Sequence, residues 1–419
     1  MKLFMSQYLD IASVKSFKAQ RIDQKLMIVS ALALPFYAKV SIICWVLAAI
    51  LGLIFFLKDT RKIQFSISFP SILLPLLYLL LAAGLLWSSN LKMGGTIMEE
   101  KLTLVLLPIF FVLVPMEKVS KLFVKLAFVL GCMISCLLME VIATSNFIDN
   151  GDQSIYFYTT FSSSFGHPTY ISMYINLSLL FLLEFYLYQN FIKLKGVIFI
   201  VLNVLFILSL IQLSARTSQA TTLLTYALAL FYFSRYAQIT FSKKVHLLSI
   251  IVFTLFTFVG SQKLYTRITS DVKPKEGFTS TSSRFVVWKE ATLLLKDHWL
   301  MGAGTGDIKD VLMEGYEKNN FQYGLKHKLN PHNEFLQIWI SVGIIGFLIY
   351  LLALLFPIWR FFFLPEFCLS LFPIIIFLNS LTESVLENQY GILFFSFFYV
   401  LFYQASSLKS GNNIQTDIR

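Results

Sequence analysis

Long apolar runs recur along the chain, separated by short polar segments. Many contain about 17–22 residues, enough for a helix to cross roughly 30 Å of hydrocarbon. They do not alternate in polarity at every second residue, as the strands of a membrane barrel would. The pattern therefore predicts an all-α polytopic membrane protein with about twelve transmembrane helices. The predicted spans are 22–37, 40–57, 67–87, 102–115, 120–142, 168–189, 196–213, 217–234, 245–261, 333–356, 367–384 and 389–405.

One long polar segment, residues 262–332, separates the ninth span from the tenth. Its length of about 70 residues is far above that of an ordinary connection, and loops of this size are usually functional or disordered. Within it, residues 284–299 predict an amphipathic helix with Ser282 or Ser283 as N-cap. The apolar positions at rough helical spacing are Phe285, Trp288, Leu295 and Trp299.

Composition and charge support a membrane location and an orientation. Hydrophobic residues make up 57% of the 419 residues and charged residues only 14%, which excludes an ordinary soluble domain. Nineteen of the 34 Lys and Arg residues fall in the segments on one side of the predicted bundle, against four in the short loops on the other. Basic residues mark cytoplasmic loops, so both termini are predicted to be cytoplasmic and the long loop periplasmic, in a bacterial inner membrane.

This topology divides the chain into four parts. They are a transmembrane bundle at 1–261, the periplasmic loop at 262–332, C-terminal transmembrane helices at 333–405 and a cytoplasmic tail at 406–419. The four cysteines all lie in apolar runs, away from any His or carboxylate that would complete a zinc site. We therefore expect neither a disulfide nor a metal. We expect membrane lipids around the bundle and no nucleic-acid partner.

Arginine and histidine residues gather on the predicted outer side. Arg216, in LSARTSQ, lies between two spans, where it either reaches lipid headgroups or binds phosphate with the nearby hydroxyl groups. Arg284 opens the predicted loop helix, where its charge opposes the helix dipole and an anionic ligand would relieve the conflict. Arg267 is a weaker candidate of the same kind, or a surface residue. His332, in LNPHNEF, lies where the chain re-enters the membrane and is a candidate proton acceptor or cap.

Other polar residues flank the same side of the bundle. Asn330 or Asn333 is expected to cap the helix after His332. His167, in FGHPTY, precedes the sixth span and either caps it or binds substrate. Glu383 and Glu387 are predicted to form an i,i+4 pair at the outer end of the eleventh span, with Arg216 or Arg284 as the cationic partner. The Gly-rich segment GAGTGD at 302–307 lacks the Lys-Ser/Thr of a phosphate-binding loop and is interpreted as a turn.

The order of these motifs resembles the O-antigen ligase and polymerase family of bacterial envelope glycan assembly. His332-Asn333, nine residues, Gly343, two residues and Gly346 match the ligase pattern H-[N/S/Q]-x9-G-x-x-G. The segments that resemble the family in the same order are HPTY (with His167 and Tyr170), SART, Ser283-Arg284 with Trp288, GAGTGD and TESVLENQ. Together they cover roughly residues 160–395, whereas the first 150 residues match only in hydropathy.

The resemblance implies a metal-independent, GT-C-like glycosyltransferase that needs no cofactor. Its donor would be a glycan on undecaprenyl diphosphate at the periplasmic leaflet, and its acceptor a hydroxyl of lipid A-core. Arg216 and Arg284 would bind the diphosphate leaving group, and His332 would act as general base or would orient the acceptor. The substrate-binding residues would be Asn333, His167, Tyr170, Arg267, Glu383, Glu387 and Trp288.

Three other functions remain open. A polysaccharide polymerase of the same family would use a second donor lipid as acceptor, and a protein O-oligosaccharyltransferase would use a protein hydroxyl. Outside this class, a transporter of lipid-linked glycans would need a path through the bilayer. The sparse charge within the predicted spans argues against a charged path of that kind.

Overall fold

The computed structural model describes residues 20–58, 68–114, 116–188, 196–237, 239–269, 280–362 and 367–403, together with Phe17. The side chains of 261–269, which include Arg267, lie outside the described set. The regular elements of the described residues are helices. The principal ones are α1 (Ile22–Ala33), α2 (Ala38–Lys58), α3 (Phe69–Ala83), α4 (Leu91–Glu100), α5 (Thr103–Leu113), α6 (Lys118–Asn150), α7 (Pro168–Tyr188), α8 (Gly196–Gln212), α9 (Arg216–Tyr232), α10 (Phe241–Thr269), α11 (Ser280–His298), α12 (Ile308–Lys318), α13 (Gln322–His327), α14 (Glu334–Phe361), α15 (Cys368–Ser380) and α16 (Gln389–Tyr403).

The chain is an all-helical membrane protein, and each predicted span overlaps a helix. Six helical segments in the described part of the chain are long and apolar enough to cross a membrane: Ala38–Lys58, Phe69–Trp87, Val119–Asn150, Pro168–Leu187, Phe241–Gly260 and Glu334–Phe361. Three shorter apolar helices are Gly196–Gln212, Leu369–Ser380 and Gln389–Tyr403. The helices at the first and fourth predicted spans, α1 and α5, have only 12 and 11 residues. At 1.5 Å per residue they are shorter than the hydrocarbon layer, so the count of twelve spans stays a prediction.

The first compact unit comprises Met1–Lys62 and Val114–Asp271. Its helix α1 packs against α2 and α6, and α7 packs against α6, α8 and α9. An ion pair between Lys125 Nζ and Glu184 Oε1, 2.7 Å long, joins α6 to α7. Polar contacts also join α7 to α9, because Ser218 and Thr222 donate hydrogen bonds to Ser172 and Asn176 at 2.8 and 2.7 Å. Hydrogen bonds of this kind fasten helices that are surrounded by lipid.

The second compact unit comprises Ile63–Leu113 and Val272–Arg419. Its helix α3 packs against α5 and α14, and α14 also contacts α11 and α15. The helices α11, α12 and α13 follow one another in contact, with α11 against α12 and α12 against α13. Together with α14 they enclose a small hydrophobic core. Its buried residues are Val287, Ala291, Leu295, Ile308, Leu312, Tyr316, Phe321 and Ile340.

The predicted amphipathic helix exists as α11, but its start and its buried face differ from the prediction. It begins at Ser280, so Ser282 and Ser283 lie inside the helix and do not cap it. Phe285 and Trp299 are 64% and 53% exposed, so neither belongs to the buried face. The buried positions are Val287, Ala291 and Leu295, four residues apart, because α12 packs along that stripe.

Helix α14 contains a break that the segment after α11 fills. Val342 and Gly343 have non-helical backbone angles, and Gly343 has a φ of 73°. The N–H groups of Ala303 and Gly304 donate to the carbonyls of Ile340 and Ser341 at 2.7 and 3.0 Å. The N–H of Ile344 donates to the Trp299 carbonyl at 2.9 Å. Backbone groups that the break would leave without partners are thereby satisfied.

The GAGTGD segment, residues 302–307, is confirmed as a turn, and it also docks the segment before α4. Both carboxylate oxygens of Asp307 accept backbone N–H groups, from Ser89 at 2.6 Å and from Asn90 at 2.7 Å. The Thr305 hydroxyl donates to the Leu81 carbonyl at 2.6 Å. These contacts are structural, which accounts for the glycines and the acid without a nucleotide ligand.

We predict that Gly343→Ala destabilises the protein. A Cβ at this position would overlap the Leu300 carbonyl, and the backbone angle there costs a non-glycine residue about 1–3 kcal/mol. The midpoint of thermal unfolding of the purified protein in detergent should fall. Gly95→Ala is the matched control, because nothing lies within 4 Å of a Cβ at that helical position. Equal midpoints for the two variants would contradict the role of the break.

Candidate functional site

His332 lies immediately before α14 in a strained backbone conformation. Its φ of 45° is in the left-handed region, which non-glycine residues rarely adopt. Its N–H donates to Asn330 Oδ1 at 3.1 Å, while Asn333 caps α14 by accepting the Leu336 N–H at 3.2 Å. The structure thus selects Asn333 from the two predicted caps. Strain of this kind concentrates at functional sites, where the surrounding structure holds it in place.

Glu383 holds the imidazole of His332. Its Oε1 lies 3.0 Å from His332 Nδ1, and its Oε2 lies 3.9 Å from a guanidinium nitrogen of Arg284. The Glu383 side chain is 8% exposed, whereas those of His332 and Arg284 are 28% and 29% exposed. The carboxylate is therefore the buried member of the group, and both the imidazole and the guanidinium are accessible from outside.

The predicted i,i+4 arrangement of Glu383 and Glu387 is wrong. Helix α15 ends at Ser380, and Glu387 belongs to a separate helical turn, Val385–Glu387. The two carboxylates therefore do not share a helix face, and they have different partners. Arg284 contacts Glu383, as one of the two expected pairings proposed. Glu387 instead pairs with Lys101, 3.0 Å from its Nζ.

Arg284 does not open its helix, as predicted, but lies one turn inside it, because α11 begins at Ser280. One turn further along, Trp288 Nε1 donates to the Pro331 carbonyl at 2.9 Å. This hydrogen bond fastens α11 to the residue before His332. The segments that carry Arg284 and His332 are therefore held together by two kinds of contact, this hydrogen bond and the contacts of both side chains with Glu383. Asn333 adds a third, since its Nδ2 donates to the Leu381 carbonyl at 3.3 Å.

The arrangement defines which atom of the histidine is free to react. In the neutral imidazole one ring nitrogen carries the proton and the other accepts one. The carboxylate of Glu383 favours the proton on Nδ1, which leaves Nε2 as the acceptor. Arg284 adds a permanent positive charge with planar donors, suited to phosphate oxygens. The group therefore combines an oriented base with an anion-binding cation.

Lys101 is one of the four basic residues in the short loops predicted to be periplasmic, and it is buried in the structure. Burial disfavours its charged form, but the carboxylates of Glu387, Glu334 and Glu100 outweigh that effect and raise the pKa of Lys101. It therefore stays protonated across the physiological range. In the sequence, Lys101 is notable only because it lies directly before an apolar run. That position does not reveal its partner Glu387, which is 286 positions away.

The remaining candidates lie in the first unit. Arg216 is the first residue of α9 and is exposed, and Ala215 at the N-cap makes no side-chain hydrogen bond to the helix. His167 is exposed, and its Nδ1 accepts the Thr169 N–H at 3.4 Å, as a cap for α7 would. Tyr170 is buried. The side chain of Arg267 lies outside the described residues.

Comparison with known proteins finds a family match over part of the chain. Residues 201–351 match the family described as O-antigen ligase (Wzy_C). This segment of the chain is therefore similar to the O-antigen ligase family. The resemblance seen in the motifs is thereby confirmed, and the family consists of glycosyltransferase-like enzymes. An uncharacterized protein of Haemophilus influenzae is 27% identical over 111 residues, which cover 24% of this chain and 27% of that relative. The matched segment thus spans about a quarter of the relative's length.

The matched segment contains Arg216, Arg284 and His332, whereas Glu383 and Lys101 lie outside it. The structure gives the spacing of its histidine motif a physical meaning. Ten residues after Asn333, which caps α14, Gly343 lies at the break that receives the turn after α11. Three residues further on, a Cβ at Gly346 would contact the side chains of Val342 and Ile338. Gly343 therefore permits the docking of the loop segment, whereas Gly346 leaves room for neighbouring side chains within α14.

Proposed function

We propose that this protein is an O-antigen ligase-like glycosyltransferase of the bacterial inner membrane. Its donor is a glycan on undecaprenyl diphosphate, and its acceptor is a hydroxyl of lipid A-core at the periplasmic leaflet. The distribution of basic residues supports this orientation. The observation that carries the proposal is the group formed by Glu383, His332 and Arg284. In this group a buried carboxylate orients an accessible imidazole.

The proposed reaction is an inverting transfer without a metal ion, on a GT-C-like fold. The acceptor oxygen attacks the anomeric carbon from the face opposite the diphosphate, and the bond from that carbon to the phosphate oxygen breaks. His332 Nε2 takes the proton of the acceptor hydroxyl. Arg284 stabilises the negative charge that develops on the departing diphosphate. Glu383 stabilises the imidazolium that forms, since its Oε1 lies 3.0 Å from Nδ1.

The other candidate residues enter the proposal with different kinds of support. Arg216 is assigned to the diphosphate because SART matches the family, and its position at the uncapped start of α9 suits an anion. Trp288 and Asn333 are assigned to holding the site, through their hydrogen bonds to Pro331 and Leu381. His167 and Tyr170 are assigned to substrate binding by resemblance, and Arg267 by its place in the predicted periplasmic loop.

We predict that His332→Ala abolishes transfer but leaves donor binding measurable. Loss of a general base typically lowers a rate by a factor of about 10²–10⁴. The assay uses purified protein in detergent with donor and acceptor, without ATP or a gradient. His327→Ala is the matched control, an exposed histidine in the same loop. Wild-type turnover by His332→Ala would exclude the assigned role, and donor flipping without any transfer by the unaltered protein would favour a transporter.

We predict that Arg284→Lys and Arg216→Lys each reduce transfer by about 10–100-fold, because lysine keeps the charge but loses the two-pronged hydrogen bond. The same detergent assay measures both. Arg235→Lys, an exposed arginine in a segment predicted to be cytoplasmic, should leave the rate unchanged. If all three variants retain the wild-type rate, the arginines do not hold the diphosphate.

Deletion in the native host should separate the ligase from the polymerase. For a ligase, we expect lipopolysaccharide with a complete core and no long chains on a gel. A polymerase of the same family would instead leave a band with a single repeat unit attached to the core. Unchanged lipopolysaccharide together with altered glycoproteins would favour protein O-glycosylation.

A further inference from the structure

Two buried ionisable side chains bind both backbone polar groups of one residue, Leu386, in the second compact unit. The N–H of Leu386 donates to Glu334 Oε2 at 2.8 Å, and its carbonyl accepts from Lys101 Nζ. Lys101 also pairs with Glu387, at 3.0 Å. We call this group of Lys101, Glu334, Glu387 and the backbone of Leu386 the Leu386 clamp. Lys101 is 5% exposed and Glu334 is fully buried.

Joining segments through the Leu386 clamp has a high desolvation cost. Removing charges from water costs several kcal/mol for each ion, and apolar residues of similar size often stabilise a protein as well or better. Buried charges nevertheless define geometry, because their hydrogen bonds accept only a narrow range of positions. The clamp is therefore better suited to setting the position of Leu386 than to adding stability.

Two of the three segments that meet in the clamp carry His332, the proposed base, and Glu383, the carboxylate that contacts it. Glu334 is the first residue of α14 and follows His332 by two positions. Leu386 follows Glu383 by three positions, in the helical turn Val385–Glu387. Lys101 approaches from the junction between α4 and α5. The clamp thus ties the chain that carries the carboxylate to the helix start that carries the imidazole.

We propose that Lys101 and Glu334 are positioning residues for glycan transfer. By binding the backbone N–H and carbonyl of Leu386, they keep the Glu383 carboxylate within hydrogen-bond distance of His332 Nδ1. Neither side chain needs to touch the substrate. This inference rests on the proposed function, because it assigns both residues a role in the same transfer reaction.

Lys101→Met and Glu334→Leu test this role, each alone and each combined with Glu383→Gln. Both replacements are apolar and of similar size. Rates are measured per folded protein in the detergent assay. Each single variant should lose about tenfold or more, but in the Glu383→Gln background the further loss should be less than about twofold, because residues that act through one contact are not additive. A loss that multiplies fully in that background would overturn the role.

The matched control is Lys125→Met, which removes a comparable ion pair with Glu184 in the first compact unit. The side chains of Lys125 and Glu184 are 13% and 17% exposed. This variant should lower the thermal midpoint while leaving the rate per folded protein unchanged. A rate loss equal to that of Lys101→Met would show that any buried ion pair has the same effect, and would overturn a specific role for the clamp.

A second measurement tests the clamp independently of enzymatic activity. Hydrogen exchange of the peptide covering residues 381–388, in the full-length protein in detergent, should be faster in Lys101→Met and Glu334→Leu but not in Lys125→Met. Unchanged exchange would overturn the clamp, and faster exchange with an unchanged transfer rate would overturn its positioning role. Failure of the unaltered protein to transfer any glycan would instead overturn the proposed function, whatever the exchange result. Glu387→Gln, a milder change at a 25% exposed side chain, replaces Lys101→Met if that variant does not fold.

Discussion

The break in α14 is the constraint on which the second compact unit depends. A helix that is interrupted among apolar side chains leaves backbone groups that must find hydrogen-bond partners elsewhere. The segment after α11 supplies them through Trp299, Ala303 and Gly304. Only glycine at 343 permits that approach, because a Cβ would overlap the Leu300 carbonyl. The loop segment is consequently attached to α14 at residues 340–344, about two turns beyond the cap at Asn333.

That attachment determines where the polar group of the site can form. His332 stands immediately before the cap, in a left-handed conformation that a hydrogen bond to Asn330 supports. Trp288 brings α11, and with it Arg284, to the preceding residue. The buried carboxylate of Glu383 then lies 3.0 Å from the imidazole but 3.9 Å from the guanidinium. The shorter contact orients the histidine, and the longer one lies beyond hydrogen-bond distance, so the guanidinium is not hydrogen-bonded to this carboxylate.

The two buried ion pairs illustrate different uses of charge in a membrane protein. Lys125 and Glu184 join two long helices side by side, with both oxygens of the carboxylate 2.7 Å from the ammonium group. Lys101 and Glu334 instead bind the backbone carbonyl and N–H of Leu386 in a short turn, and Glu387 pairs with Lys101. The first pair fastens regular elements that could also pack through apolar side chains. The second orders irregular backbone, which has no repeating hydrogen bonds of its own and therefore depends on specific side chains.

The sequence by itself determined the helical class, the turn at 302–307 and the spacing from His332 to the two glycines. These features follow from the lengths of apolar runs and from residues close together in the chain, where local sterics and hydrogen bonds decide the outcome. Only the tertiary structure decided that α11 buries Val287 rather than Phe285, that Glu383 lies beyond the end of α15, and that Lys101 is the partner of Glu387. Each of these depends on which distant segment packs nearby, and hydrophobic periodicity carries no information about contacts between residues hundreds of positions apart.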